Sequence, residues 1–481
     1  MTKKLTFKAH INYIKTKCGK ALQVLRVLAH TDWGADKNTL LKIYRTLVRS
    51  KLDYSSFIYQ STRKSYLKTL HPVCHSGLRL VLGAFQTSPV ESLYAESYET
   101  PPELRCQNLA LRYYTKLIAN PTNPAHDSTL KPNYESLFDQ KENEIKTFGL
   151  RMKPICEEAN LPINRIHETV LLKTPPWKII TPKINLNLCK YNKKTTHPVT
   201  FKEKFEEILE KFPEHTCIYT DGSKQNNTTA SAAIINKETK KTKRLPKNTS
   251  IFSAEIYAIN LALDLIKEKE DPKYIIFTDS LSAIIAIKNR KTNNPLIADL
   301  LIEFQRLKNK SEIILCWVPS HIGIQGNELA DTAAKSAHNN PIDPIFKIPH
   351  TDIKRSINIH IQNKWQNYWN NFPNNKLYKI KPKITKWENN QKINRKQDVI
   401  LTRLRIGHTY LTHSYLLKGE IQPQCIACQT PLTVKHLLTE CIDFSQTREK
   451  HYKEKTLEKI FEKNTGKILS YIKEIGFFHK I

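Results

Sequence analysis

Two stretches of the sequence, CIYTDGS at residues 217–223 and YIIFTDS at residues 274–280, decide the fold. Each contains a short apolar run typical of a buried β-strand, and each run ends at an aspartate, Asp221 or Asp279. Similar runs predict two more strands, SAAIIN at 231–236 and EIILCWVPS at 312–320. Helical patterns lie between and after the runs, at 253–270, 280–289, 297–309 and 326–337. This order predicts one α/β domain with a mixed sheet.

Four acidic side chains lie next to these apolar runs. Asp221 and Asp279 end strands, Glu255 lies in the first turn of the 253–270 helix, and Asp331 lies in the last helix. Functional groups collect at the carboxyl ends of strands in α/β sheets, so the four carboxylates converge if the two strands are neighbours. The alternative is that each is an ordinary helix cap or surface charge.

Four converging carboxylates favour metal chemistry. Carboxylates held together repel one another, which raises their pKa values unless cations lie between them. Mg²⁺ is a hard ion that prefers oxygen ligands. Two such ions, about 3.5–4 Å apart, can activate a water and stabilise the leaving oxygen of an in-line phosphoryl displacement. The residues therefore predict phosphodiester cleavage.

A family resemblance extends this prediction. The stretches YTDGSK (219–224), AEIYAI (254–259), FTDSLSAI (277–284) and WVPSHIGIQGNELADTAAK (317–335) resemble type 1 ribonuclease H in order and spacing. The resemblance covers residues 213–338. It implies a ribonuclease H-like five-stranded mixed sheet with flanking helices, which cuts the RNA strand of RNA–DNA hybrids with two Mg²⁺ ions.

The same resemblance implies a role for each site residue. Asp221 would bridge both ions, Asp331 would hold the ion that activates water, and Glu255 and Asp279 would hold the other. Glu255 would also lie near the ribose 2′-OH, the group that distinguishes RNA from DNA. His321, in the sequence PSHIG, matches the family's mobile histidine and is expected to assist proton transfer or product release.

The charge of the chain lies mostly outside this domain. The 481 residues include 76 Lys and Arg against 45 Asp and Glu, a net charge of +31, which predicts a polyanionic partner. Residues 211–340 hold 18 basic and 14 acidic residues, a net +4 that leaves +27 for the rest. Bacterial members of the family insert a basic helix where this chain has only the connection 288–295. We therefore expect weak hybrid binding by the domain itself.

A zinc site is predicted near the end of the sequence. Cys425, Cys428, His436 and Cys441 have the spacing of two thiolates on a knuckle followed by His and Cys on a helix, which suits one structural Zn²⁺. The alternative is a set of unrelated buried cysteines. The site resembles the CCHC finger of non-LTR retrotransposon polyproteins, with a middle spacing of seven residues where the retroviral knuckle has four. Fingers of this type usually contact nucleic acid, so the resemblance implies nucleic acid as a partner.

The remaining sequence predicts three more regions. Residues 1–118 are helical, and 33–54 and 78–96 resemble the thumb segment of Jockey-like reverse transcriptases. Residues 119–212 form a Pro/Asn/Lys-rich linker, and 345–481 form a basic helical region that contains the finger at 425–441. The sequence contains no Asp-Asp pair, so no YxDD motif, polymerase palm or polymerase activity is expected. The whole resembles the C-terminal part of such a polyprotein.

Local patterns in the flanks predict two cores. Asp36 is placed to cap a helix with one apolar face, formed by Leu40, Leu41, Tyr44, Leu47, Val48 and Leu52. Three tryptophans of the C-terminal region, Trp365, Trp369 and Trp387, are expected to anchor a small core rather than to stack on bases.

The composition excludes several other classes. No window approaches the roughly 18 apolar residues of a membrane span, and the first residues lack the apolar segment of a secretory signal. Seven of the ten cysteines are far apart and the other three cluster near the C-terminus, which favours a reducing compartment, so an intracellular location, nucleus or cytoplasm, is expected. No feature of the sequence specifies an oligomeric state.

Two alternatives to a hybrid ribonuclease remain open at this point. Integrase-like strand transferases share the sheet and use Asp, Asp and Glu; the candidate here is Glu312, 33 residues beyond Asp279, which opens a strand. The AEIYAI and NELAD motifs have no place in that scheme. The second alternative is a catalytically silent, nucleic-acid-binding relic of a retroelement.

Overall fold

The computed structural model describes residues 6–131, 136, 145–169, 174–226, 228–269, 271–291, 293–387, 393–463 and 465–481. The chain divides into two compact units, Met1–Ala110 with Ile359–Ile481, and Leu111–Asn358. The boundaries of the four regions proposed from the sequence stay predictions. Over the described residues, each helix is too short or too polar to cross a membrane.

The unit Leu111–Asn358 is built on a six-stranded mixed sheet. Its strands are β1 (Lys183–Asn185), β2 (Thr216–Gln225), β3 (Thr228–Ile234), β4 (Lys240–Leu245), β5 (Lys273–Thr278) and β6 (Glu312–Trp317). Their order is β1-β6-β5-β2-β3-β4. The pairs β1–β6, β6–β5 and β5–β2 are parallel, whereas β2–β3 and β3–β4 are antiparallel. The predicted α/β class is confirmed.

The sheet has one strand more than the five expected. The additional strand, β1, lies in the segment 119–212 that was predicted to be a linker, and it extends the sheet beyond β6. The same segment also contributes the helix Pro198–Lys211, whose apolar side chains pack against the sheet. A three-residue strand among prolines, asparagines and lysines carries no apolar alternation, so the sequence pattern gave no signal for it.

Helices flank the sheet of this unit. The predicted helices are confirmed with boundaries that shift by one or two residues. The α-helices contained in the unit are Ala125–Leu130, Phe148–Glu158, Pro198–Lys211, Ile251–Lys269, Leu281–Lys288, Pro295–Leu307 and Gln325–Ser336. Short 3₁₀ turns are Ile163–Arg165, Pro176–Lys178, Asn187–Lys190 and Ala337–Asn339.

The second unit, Met1–Ala110 with Ile359–Ile481, is helical. Its α-helices are Lys8–Leu28, Lys37–Tyr44, Ser50–Asp53, Ser56–Tyr59, Lys64–Lys68, His71–Leu82, Val90–Ser97, Arg395–Ile406, Tyr410–His413, Tyr415–Lys418, Ser445–His451, Leu457–Lys463 and Thr465–Glu474, and its π-helical turns are Arg45–Arg49 and His436–Glu440. The helices Pro102–Ile118 and His350–Asn370 each include a boundary between the units.

The predicted N-cap of this helical unit is confirmed. The Asp36 carboxylate accepts hydrogen bonds from the backbone N–H groups of Asn38 and Thr39. The predicted apolar face is buried except at Leu47, which is 37% exposed. Leu47 lies in the π-helical turn Arg45–Arg49, whose wider winding differs from the regular α-helix that the sequence pattern predicted.

The two ends of the chain share a core within this unit. Trp365 and Trp369 are buried among apolar side chains of the first 95 residues, as expected of core anchors, and Trp387 packs partly buried against the same cluster. The buried Glu96 carboxylate lies 3.2 Å from Lys37 Nζ and 3.3 Å from Arg405 Nη1, and it also accepts a hydrogen bond from Trp387 Nε1. These contacts tie residues 1–110 to residues 359–481.

Candidate active site and metal centres

Strand pairing brings two of the four predicted carboxylates side by side. Strands β2 and β5 are parallel neighbours, and their last paired residues are Thr220 and Thr278. The next residue on each strand is an aspartate, Asp221 and Asp279, so both carboxylates lie at the same edge of the sheet. The condition for convergence, that these two strands are adjacent, is therefore met.

The third carboxylate reaches this edge from the second turn of a helix, because the helix begins two residues earlier than predicted. Glu255 lies on Ile251–Lys269, and only 9% of its surface is exposed. The approach of this helix to β2 requires glycine at position 222, because a Cβ there would lie 2.8 Å from the Glu255 backbone nitrogen. The Ser231 hydroxyl fixes the same turn by donating to the Ala254 carbonyl at 2.8 Å.

The three carboxylates form a compact cluster. Oxygens of Asp221, Glu255 and Asp279 lie within 4.8 Å of one another. Burial, and then the charges of Asp279 and Asp331, raises the pKa of Asp221 to about 7. Burial and the two neighbouring aspartates raise the pKa of Glu255 well above its ordinary value. Burial also raises the pKa of Asp279, although the nearby His321 opposes this change.

The fourth carboxylate, Asp331, lies next to this cluster and faces a different set of partners. Its charge acts on Asp221 and Asp279, but its Oδ2 accepts a hydrogen bond from Lys335 Nζ at 2.7 Å. Ligand atoms of Asp331, Glu328 and His321 lie within 4.8 Å of one another. Sequence reasoning assigned no role to Glu328, although its place in the NELAD motif, three residues before Asp331, was a usable signal.

His321 lies on an exposed loop beside the cluster. Its backbone has a positive φ of 52°, an uncommon conformation for a residue other than glycine. Gly323, two residues later, has a φ of 82°. The loop follows β6, and Trp317 at the end of that strand donates its Nε1–H to the Asp279 carbonyl at 3.0 Å. This bond links the histidine loop to the aspartate that it faces.

The integrase-like alternative does not fit this geometry. Glu312 is the first residue of β6, and β6 runs parallel to β5. Glu312 therefore lies at the amino ends of these strands, whereas Asp279, which follows the last residue of β5, lies at their carboxyl ends. Glu312 pairs there with Lys183 instead of joining the two aspartates.

The carboxylate cluster suits divalent cations. Glu255 Oε2 is buried and has no hydrogen-bond partner among the described residues. A buried carboxylate oxygen without a partner carries a large desolvation penalty, which a cation would remove. The donors are all hard carboxylate oxygens, the ligand type that Mg²⁺ prefers. Asp221, Glu255 and Asp279 could therefore hold Mg²⁺, with Asp331 available beside them.

The predicted Cys/His ligands also come together, in the helical unit. Ligand atoms of Cys425, Cys428, His436 and Cys441 lie within 4.8 Å of one another. Cys441 Sγ lies 3.8 Å from Cys425 Sγ and 4.0 Å from Cys428 Sγ, too far for disulfides. Tetrahedral Zn–S bonds of about 2.3 Å would place two sulfurs about 3.8 Å apart. His436 Nε2 is buried without a described partner, so the four residues fit a Zn²⁺ ion.

This Cys/His cluster is tied to the C-terminal helices. The pKa of Cys425 is lowered to about 7, first by a hydrogen bond from the Cys428 backbone and then by the side chain of His436. The lower pKa favours the thiolate form, which binds metal. The hydroxyls of Tyr452 and Tyr471 donate to the carbonyls of Leu438 and Leu437, at 2.9 and 2.7 Å. The turn that carries His436 is therefore anchored in the core of that region.

Fold and site together place part of the chain in a known family. Residues 213–339 match the RNase H family, described as "RNase H". The match begins and ends within one residue of the range predicted from the four motifs, and it includes all four carboxylates and His321. The chain therefore contains an RNase H domain.

Viral proteins are similar to part of this chain. The Pol polyprotein of equine infectious anemia virus, strain Wyoming, is 33% identical over 144 residues, which cover 29% of this chain. The Pol polyproteins of isolates 1369 and CL22 of the same virus are 33% identical over 140 residues. The match covers 12% of each polyprotein's length, so this chain spans only a small part of these relatives.

Proposed function

We propose that the chain hydrolyses the RNA strand of RNA–DNA hybrids endonucleolytically, using two Mg²⁺ ions. The observation that carries the proposal is the cluster of Asp221, Glu255 and Asp279 within 4.8 Å at one edge of the sheet. Repulsion between three carboxylates is unfavourable without a cation, and it has no structural benefit for the fold. A site that keeps this arrangement is built for metal ions and phosphates.

Each residue has a distinct task in this proposal. As the family resemblance implies, Asp221 would help to hold both ions, Glu255 and Asp279 would hold one of them, and Asp331 would hold the other. The bound ions would supply an activated water and neutralise charge on the scissile phosphate. Glu255 would also face the ribose 2′-OH, which makes the site selective for RNA. His321, on its exposed loop, would move a proton or assist product release.

A catalytically silent, nucleic-acid-binding relic is the second candidate. The observation that favours it is the hydrogen bond that Asp331 accepts from Lys335, in which a lysine occupies a carboxylate that the proposed activity needs for a cation. This i,i+4 pair is half-buried on the Asp331 side and exposed on the Lys335 side, and ion pairs exposed to solvent are weak. A divalent cation would compete with the lysine for the carboxylate, so we favour an active enzyme.

The flanking regions suit a retroelement origin. We propose that the chain derives from the C-terminal part of a Jockey-like polyprotein, with residues 1–118 as the remnant of a reverse-transcriptase thumb. The net +27 outside residues 211–340 and a structural Zn²⁺ at Cys425, Cys428, His436 and Cys441 would hold nucleic acid. Similarity to viral Pol polyproteins supports this context for the RNase H domain.

The proposed activity can be tested with a labelled RNA–DNA hybrid. The full chain with Mg²⁺ should convert the RNA strand to short products, and Asp279→Asn should abolish this conversion. Glu312→Gln is the matched control, because it makes the same chemical change in the same domain at the opposite edge of the sheet. Salt-sensitive hybrid binding without cleavage over hours would favour the silent relic, and full cleavage by Asp279→Asn would contradict the site assignment.

A further inference from the structure

Residues 183–211, which lie outside the matched RNase H range, add an outer strand and a helix to the sheet of the domain. Strand β1 pairs in parallel with β6, with Lys183 opposite Ile314 and Asn185 opposite Cys316. The 3₁₀ turn Asn187–Lys190 and the helix Pro198–Lys211 follow. The segment therefore runs from the edge of the sheet onto one of its faces.

Apolar contacts fix this segment on the sheet. Phe201 and Phe205 of the helix are 1% and 5% exposed, and they pack in one core with Phe277 of β5. The rings of Phe205 and Phe277 are 5.1 Å apart between centroids, in an edge-to-face arrangement. Leu188 and Ile208 join the same core. Side chains of this segment consequently have defined positions relative to the carboxylate cluster.

The part of the segment that leads to this helix is strongly basic. Residues 183–202 contain five lysines and neither aspartate nor glutamate. Strands β1, β6 and β5 are parallel, so their carboxyl ends lie on the same side of the sheet. The chain therefore leaves β1 on the side where Asp221 and Asp279 lie. The lysines that follow β1 are therefore carried toward the site, whereas Lys183, at the start of β1, lies at the opposite edge.

Two of these lysines reach the loop of His321. Lys193 Nζ donates to Ser320 Oγ at 3.0 Å, directly before His321 in the chain. Its charge is also close enough to act on Asp279. Lys202 lies against the same loop, because its Cε and Nζ would be 2.8 Å from a Cβ at position 323. Both lysines are exposed, so their ammonium groups are open to a ligand.

We propose that Lys193 and Lys202 bind the phosphate backbone of the nucleic acid that enters the carboxylate site. This inference rests on the proposed function and adds the substrate contacts of the site. The domain has a net charge of only +4 over residues 211–340. The acidic cluster repels phosphates. The positive charges of the two ammonium groups beside the histidine loop would attract phosphates to a position next to this cluster.

Lysine footprinting tests the contact directly on the full wild-type chain. The protein is treated with an amine-acetylating reagent without Mg²⁺, with and without a 20-base-pair RNA–DNA hybrid, and modified lysines are measured by mass spectrometry. Lys193 and Lys202 should become several-fold less reactive with the hybrid, whereas Lys183 should not change. Equal reactivity of Lys193 and Lys202 with and without hybrid, or no hybrid binding at all, would overturn the proposal.

Salt dependence gives a second readout with a matched control. The double variant Lys193→Ala/Lys202→Ala should lower the slope of log affinity against log salt by about two, one for each phosphate that a lysine no longer neutralises. Lys183→Ala removes the same charge from the same segment and should leave the slope unchanged. Slopes that are equal in these two variants would show that Lys193 only supports the Ser320 loop, and would overturn the proposal.

Kinetics separates this inference from the proposed function. In a chain that cleaves, the double variant should raise the hybrid concentration needed for half-maximal rate, whereas Lys183→Ala should not. A wild-type chain that shows the footprint and the salt slope but no cleavage would refute the proposed activity and uphold the phosphate contact. Cleavage without protection of Lys193 and Lys202 would support the proposed activity and refute the phosphate contact.

Discussion

Removing the charge of Asp221 should stabilise the metal-free RNase H domain. The Asp221 carboxyl has a pKa of about 7 instead of its ordinary 3.8, chiefly because it is buried and then because Asp279 and Asp331 repel it. Each pKa unit corresponds to about 1.4 kcal/mol, so ionisation of Asp221 in the folded state costs at most about 4 kcal/mol. Asparagine has nearly the same shape and no charge, so Asp221→Asn should recover about 2–3 kcal/mol of this free energy at pH 8.

The sign of the effect fixes its pH dependence. The folded-state pKa is raised, so the penalty is absent below pH 3.8, grows as the pH rises toward 7, and is complete above that value. The advantage of Asp221→Asn over wild type should therefore be largest above pH 7 and disappear near pH 4. Mg²⁺ should stabilise the wild-type domain more than the variant, because ligand binding stabilises only a state that holds the ligand.

Hydrogen exchange with mass spectrometry can measure this free energy within the full chain. Peptides that cover β2 and β5 report opening of the domain in EDTA at pH 8, after correction for intrinsic exchange rates. Glu312→Gln is the control, since this exposed carboxylate pairs with Lys183 and its removal relieves no repulsion. An Asp221→Asn variant that is no more stable than wild type at pH 8 would contradict the predicted cost of ionising Asp221. A variant that keeps the same stability advantage over wild type at pH 4 would contradict it as well.

Three further expectations follow from the packing and the ligand clusters. Gly222→Ala should slow RNA cleavage at least about 100-fold in single-turnover assays, because the added Cβ would displace the helix of Glu255; an unchanged rate would contradict this. Phe201→Ala should destabilise the sheet by about 3–5 kcal/mol in hydrogen exchange of β6, whereas a free linker would give no change. The purified chain should hold one zinc ion, detected by a chromogenic chelator, and Cys441→Ser should lose it; a zinc-free wild type would refute the site.

The sequence predicted the centre of the RNase H domain well because its signals are local. Strands β2, β3, β5 and β6 are buried apolar runs, and the two aspartates that follow paired threonines could be placed at one edge from strand endings alone. Edge strands were missed. Strand β4, KKTKRL, has five polar residues in six, so its pairing with β3 depends on backbone hydrogen bonds rather than on apolar side chains.

Other features depend on contacts between distant residues, which no local pattern encodes. The segment 183–211 belongs to the sheet because Phe201 and Phe205 meet Phe277, some 70 residues away in the chain. The pairing of Asp331 with Lys335 and its proximity to Glu328 depend on side-chain rotamers, which motif spacing does not specify. Leu47, which is exposed against expectation, lies in a π-helical turn that the apolar pattern of a regular helix does not predict.

The most direct test of the account is the fate of the two strands of a hybrid. The full chain is incubated with Mg²⁺ and either an RNA–DNA hybrid or a DNA duplex of the same sequence, with each strand separately labelled. We expect loss of the RNA strand alone, no cleavage of the duplex, and no cleavage of either by Asp221→Asn. An intact RNA strand with bound wild-type protein, or equal cleavage by Asp221→Asn, would contradict the claim that these carboxylates form a hybrid-cleaving site.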